Sequence, residues 1–172
     1  MADAQAKPAI YLYTDGAASG NPGPGGYGVV LRCGNIEKEM SGGFIRTTNN
    51  RMELLAVITG LEAIKWDRAT VYVTSDSKYV VDAINKGWLR SWVVKGFKKK
   101  ANPDLWRRLL PLLDKHHVEF FWVHGHQGHP ENERCDRLAV AAGQGAYESG
   151  VALPVDEGYE AQAASNDGTL DL

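Results

Sequence analysis

The sequence predicts a mixed α/β domain in which an antiparallel meander joins strands linked by helical crossovers, with helices covering both faces of the sheet. Three observations carry this. Strand-length apolar runs recur five times, a period of three to four residues takes over from Arg51, and the elements follow the order βββαβαα…αβα. At 172 residues the chain suits one domain and is too short for two comfortable ones. A chain of this size buries roughly 70% of the surface its unfolded state exposes, so the core needs neither disulfides nor a structural metal.

Ala9–Thr14 (AIYLYT) is apolar, aromatic and β-branched enough for a first strand, which Asp15-Gly16 ends. Six glycines and two prolines between Gly16 and Gly28 are too many for regular structure before Tyr27. Gly28–Arg32 and Ile36–Phe44 flank the turn signal Cys33-Gly34-Asn35 and read as an antiparallel hairpin. Met52, Leu55, Ile58, Leu61 and Ile64 then mark an amphipathic helix ending near Trp66. Thr70–Ser75 (TVYVTS) is the fourth strand. Helices follow at Lys78–Asn85 and around Trp88–Val94, and Asn102-Pro103-Asp104 opens another that runs to Lys115. Val118–Val123 (VEFFWV) is the last strand, and a closing helix puts Cys135, Leu138, Ala139 and Ala142 on one stripe.

The formal net charge of −2 conceals a division. All 19 Lys and Arg residues lie at or before Arg137, so residues 1–147 carry +4 and the last 25 residues carry −6. That tail has few large apolar residues and no helical stripe, and the expectation is a disordered, dispensable segment over 149–172. Residues 1–8 read as a flexible extension and 9–148 as the domain. Within it a basic protrusion over about 86–102 interleaves Lys86, Arg90, Lys95, Lys98, Lys99 and Lys100 with Trp88, Trp92 and Phe97, a composition suited to phosphates and stacked rings. Cys33 and Cys135 read as reduced thiols. With no apolar stretch long enough for a span and no secretion signal, the expectation is a cytoplasmic monomer without membrane contact.

In sheets with helical crossovers, ligands collect beyond the carboxyl ends of the parallel strands, where Asp15 and Asp76 fall. Two carboxylates brought together there repel each other unless a cation fills the gap. Each acid also has an ordinary explanation: turn chemistry for Asp15, a helix start for Asp76, a capping-box partner of Asn50 for Glu53, and a surface ion pair with Arg134 or Arg137 for Asp136. His124, His126 and His129 with Cys135 invite a zinc reading, which the missing short Cys/His pairs disfavour.

The segments Thr14-Asp15-Gly16 through Gly28, Thr47-Thr48-Asn49-Asn50-Arg51-Met52-Glu53-Leu54, Ser75-Asp76-Ser77-Lys78-Tyr79-Val80 and Gly125-His126 through Asp136 closely resemble, in order, bacterial type 1 ribonuclease H. The resemblance covers about Ile10 to Ala146. It implies the ribonuclease H-like fold and endonucleolytic hydrolysis of the RNA strand of an RNA–DNA hybrid, leaving a 5′-phosphate and a 3′-hydroxyl. It implies two Mg²⁺ ions, with Mn²⁺ as a substitute. By the family pattern Asp15 bridges both ions, Asp136 completes one and Glu53 with Asp76 holds the other, while His126 assists proton transfer or product release. It assigns a DNA-strand phosphate pocket to Arg46, Thr48 and Asn102, and a channel lined by Trp88 within the basic protrusion that carries Lys98 and Lys99. Asn21, Asn49 and Asn50 offer the donors and acceptors that a 2′-hydroxyl requires. Two other classes compete: a binding module of the same fold without catalysis, and a superfamily nuclease acting on DNA.

Overall fold

The computed structural model describes residues 7–125, 128–145 and 152–170, with side chains described as far as Ser165. Five strands, β1 (Ile10–Ala18), β2 (Gly23–Cys33), β3 (Ile36–Thr47), β4 (Thr70–Ser75) and β5 (His117–Trp122), form one sheet in the order β3-β2-β1-β4-β5. β2 runs antiparallel to β1 and β3, whereas β4 runs parallel to β1 and β5. The described residues also form six helices: α1 (Asn49–Glu62), α2 (Lys78–Asn85), α3 (Trp88–Val94), α4 (Pro103–Lys115), α5 (Pro130–Gly143) and α6 (Glu157–Leu170). The mixed α/β architecture is the one the sequence predicts. None of these helices is long and apolar enough to cross a membrane.

Alternation along the strands divides the sheet into two packed faces. Ile10, Leu12, Val29, Val71 and Val73 are fully buried with Leu54, Ile58 and Leu61 of α1. α1 is buried nearly all round because α4 packs on its far side, so a one-sided amphipathic stripe understates how much of it is covered. α5 covers the opposite face of β1–β3. There the glycine-rich segment departs from expectation. β1 continues to Ala18 and β2 begins at Gly23, because the missing side chains let α5 lie directly on the sheet. A Cβ at Gly26 would stand 2.4 Å from the Ala139 carbonyl oxygen, and one at Gly28 would stand 2.2 Å from that of Cys135.

The tail is the principal correction to the sequence reading. Residues 152–170 are not structureless: Pro154 accepts a hydrogen bond from the Ile45 N–H (2.9 Å), and α6 follows. Asp156 caps α6 by accepting from the Tyr159 N–H (3.1 Å), and both residues are buried. The Asp156 carboxylate also accepts from Arg51 Nε (2.8 Å) and Nη2 (3.0 Å) and from the Thr47 hydroxyl (2.7 Å). Arg51 donates a second fork to Asp104 at 2.9 and 2.8 Å and a further bond to Asn102 Oδ1. Its guanidinium is held protonated: burial opposes the charge, and the two carboxylates outweigh it. Gly158 makes room for this junction, since a Cβ there would lie 2.1 Å from Asp104 Oδ2. Composition misses the arrangement because one acid with one distant cation leaves no periodic signal. Of the expected N-terminal extension, residues 1–6 lie outside the described residues, and Lys7 Nζ sits 5.4 Å from the Trp66 ring centre.

Removing one carboxylate from a buried guanidinium leaves charge uncompensated, so Asp156→Ala is expected to cost about 3 kcal/mol. Deleting residues 152–172 should cost at least as much. Urea unfolding measures both, and a deletion that leaves the midpoint unchanged would refute the anchoring role of the tail.

Candidate active site

The parallel β1–β4 ladder ends with Thr14 opposite Ser75, so the next residues, Asp15, still paired with Gly28 of β2, and Asp76, come side by side just past its end. Asp76 is free of helix-capping duty because Ser77 is the N-cap of α2, its hydroxyl accepting from the Val80 N–H (3.3 Å). Trp122 Nε1 donates to the Asp76 carbonyl (3.1 Å) and ties this corner to β5. Glu53 arrives from α1 through Gly16, where a Cβ would stand 2.4 Å from the Glu53 nitrogen. That close approach brings helix and strand together. The Gly16 N–H donates to both Asp15 Oδ1 (2.8 Å) and Glu53 Oε1 (3.1 Å). The capping-box expectation for Glu53 fails, because Thr48 caps α1 by accepting from the Arg51 N–H (3.3 Å).

Asp15, Glu53 and Asp76 thus place ligand oxygens within 4.8 Å of one another. Asp15 and Glu53 are buried, Asp76 partly so. Burial raises the Asp15 carboxyl to about 7, and the nearby Asp76 and Asp136 push in the same direction. Burial, then the charge of Asp15, raises Glu53 well above the usual carboxylate range. Asp136, half-buried on α5, lines the same open cleft of about 420 Å³. Its neighbour Arg134 pairs with Glu37 and Glu39. Glu53 Oε2 is buried with no hydrogen-bond partner among the described residues. Hard oxygen donors, close packing and this orphaned atom fit a divalent cation.

A model of the RNase H family matches residues 7–144. The chain is 54% identical over 156 residues to Ribonuclease H of Rippkaea orientalis, covering 88% of this chain and 92% of that protein. It is 59% identical over 138 residues to Ribonuclease H of Desulforamulus reducens, with coverages of 77% and 86%. This chain belongs to the RNase H family. Among solved structures, LC9-RNase H1, described as a type 1 RNase H with the type 2 active-site motif, is 36% identical with a TM-score of 0.75 over 92% of this chain and 82% of that one. LC11-RNase H1 in complex with RNA/DNA hybrid is 25% identical with a TM-score of 0.54, over 80% and 99%.

Of the other residues singled out in this RNase H sequence, two reach the acidic cleft. Asn49 and Asn50 line it. Asn49 Oδ1 accepts from the Ala18 N–H (2.6 Å), and Asn21 Oδ1 accepts from the Asn49 N–H (2.9 Å), so the two asparagines brace the end of β1 against α1. Arg46 is exposed, whereas Asn102 is buried, donating from Nδ2 to the Tyr79 hydroxyl (3.1 Å) and accepting from Arg51. Trp88, Lys98 and Lys99 are exposed on the protrusion. Trp106 is fully buried, with Tyr79 and Trp92 each 5.5 Å away between ring centres. His126 lies outside the described residues. The zinc alternative finds no support in the described ligands: Cys135 is buried, and burial pushes its thiol up to about 12. His129 caps α5, and His124 packs edge-on against Trp122.

Sequence reasoning missed Arg51, Asp104 and Asp156, which join α1, α4 and the tail. A lone arginine among apolar positions of a buried helix was the available signal.

Raised carboxyls mean that the folded, metal-free protein binds more protons than the unfolded chain between about pH 4 and 7. The cluster therefore costs nothing below that window, and its destabilisation, on the order of a few kcal/mol, grows as pH rises through it. Metal-free melts should show stability falling with pH across this range more steeply in the native chain than in Asp15→Asn. Equal slopes would show that burial and like charge do not raise the Asp15 carboxyl.

Proposed function

We propose that this RNase H family member hydrolyses the RNA strand of RNA–DNA hybrids, leaving 5′-phosphate and 3′-hydroxyl ends, with Mg²⁺ as its metal and Mn²⁺ able to substitute. The observation that carries this is the trio of buried Asp15 and Glu53 with partly buried Asp76, gathered at the end of the parallel β1–β4 ladder with Asp136 lining the same cleft. These four acids would hold the metal. When bound, divalent ions activate water as the nucleophile and stabilise the departing 3′ oxygen.

The chain's own residues position the substrate. Asn49 and Asn50 at the cleft, with Asn21 beside them, would hydrogen-bond the 2′-hydroxyls that distinguish RNA from DNA. Arg46, Thr48 and the Asn102 backbone would hold a phosphate of the DNA strand. Trp88 would pack against that strand while Lys98 and Lys99 neutralise phosphates, which their exposure permits. The site is open and polar, as a duplex requires. In this reading His126 assists proton transfer or product release. The protein acts as a monomer in the cytoplasm.

Cleavage of a labelled hybrid in Mg²⁺, with duplex DNA and single-stranded RNA as controls, tests the activity. Asp15→Asn should lower the rate by roughly a thousandfold or more, since metal-borne charge stabilisation is worth several kcal/mol. Cleavage of duplex DNA as fast as hybrid would sink the proposal. Replacing Lys98 and Lys99 by alanine should weaken hybrid binding and reduce its log–log salt slope by up to about 2, near 0.9 for each phosphate that is no longer neutralised. An unchanged slope would mean that these lysines face only solvent.

A further inference from the structure

α6 presents oxygens to groups that a phosphate would use. Within about one turn, Glu160 Oε1 lies 3.9 Å from Arg46 Nε and Gln162 Oε1 accepts from the Asn102 N–H at 2.6 Å. The Arg46 guanidinium also stands 5.4 Å from the Tyr159 ring centre. Asn102 is the N-cap of the 13-residue helix α4, so its N–H donates at a helix end whose partial positive charge favours acceptors. A carboxylate on an arginine and an amide oxygen on a helix-start N–H reproduce what a phosphodiester would offer the same two groups. We propose that α6 is an autoinhibitory latch that occupies the DNA-strand phosphate pocket and must lift for a hybrid to dock.

The inference rests on the reading of Arg46 and Asn102 as phosphate ligands. The latch is built to be displaced in part. Its root, Asp156 and Tyr159, is buried, whereas the Arg46 and Glu160 side chains are 54% and 40% exposed, and ion pairs that open are weak. No lysine or arginine follows Arg137, so a lifted helix gains nothing from the phosphates and is repelled by them. Competition of this kind lowers apparent affinity by the fraction of molecules with the pocket open, and it leaves the chemistry at saturation untouched.

The test keeps the full chain and its buried root. Glu160→Ala with Gln162→Ala should lower KM for a labelled hybrid roughly three- to tenfold with kcat unchanged. Glu160→Gln, which preserves helix and size, should give part of that gain. Arg46→Ala, made in both the native and the latch-free chain, separates the two ideas, and it should raise KM more in the latch-free chain. If KM is unchanged in the double variant while Arg46→Ala still raises it, the latch is refuted and the phosphate pocket stands. If Arg46→Ala has no effect in either background, the pocket reading fails and takes the latch with it. Amides of residues 161–165, beyond the buried root, should exchange hydrogen faster when hybrid is added, and unchanged or slower exchange would overturn the latch.

Discussion

Burial of like-charged carboxylates at the end of the β1–β4 ladder is the constraint around which this molecule is arranged. Asp15 and Glu53 are both buried and share one backbone donor, with Asp76 within 4.8 Å and Asp136 across the cleft. No stability argument favours that placement in the absence of a cation, because burial and like charge oppose ionisation together. The surrounding fold holds the acids there. The parallel register sets Asp15 beside Asp76, the bare Cα of Gly16 admits α1, and Ser77 and Thr48 cap the adjoining helices so that the acids do not.

Arg51 supplies the opposing sign two residues before Glu53 on the same helix. Its two carboxylate partners come from α4 and from the C-terminal segment, so one guanidinium joins parts of the chain 53 and 105 residues away. A buried ion pair of this kind adds little net stability relative to apolar packing, yet its geometry is demanding. It fixes α1 against the start of α4, where the basic protrusion rejoins the domain.

Charge is consequently sorted by place. The acids form the cleft, the cations of residues 86–100 form an exposed arm, and α6 of the acidic tail borders a groove through Gly158, Ala161 and Gln162 that faces Lys100, Pro103 and Asp104. A net charge of −2 averages these regions and describes none of them. The tail sets the Glu160 carboxylate 3.9 Å from Arg46 and the neutral Gln162 amide oxygen on the Asn102 N–H.

Periodicity located all five strands and the first five helices, because alternation and the three-to-four-residue repeat are local properties of the chain. Four short motifs carried the family and the acids, because a site built at strand ends leaves its residues beside recognisable turns. Three things had no local signature. Most of the glycine-rich segment is strand because α5 presses on it, α1 is buried nearly all round because α4 covers its other side, and the described part of the tail is helical where Asp156 meets an arginine 105 residues away. Each depends on which surfaces meet after folding. A chain's local pattern specifies its elements and their chemistry, while burial, charge pairing and the raised carboxyls of the cleft come from long-range packing that no window of sequence contains.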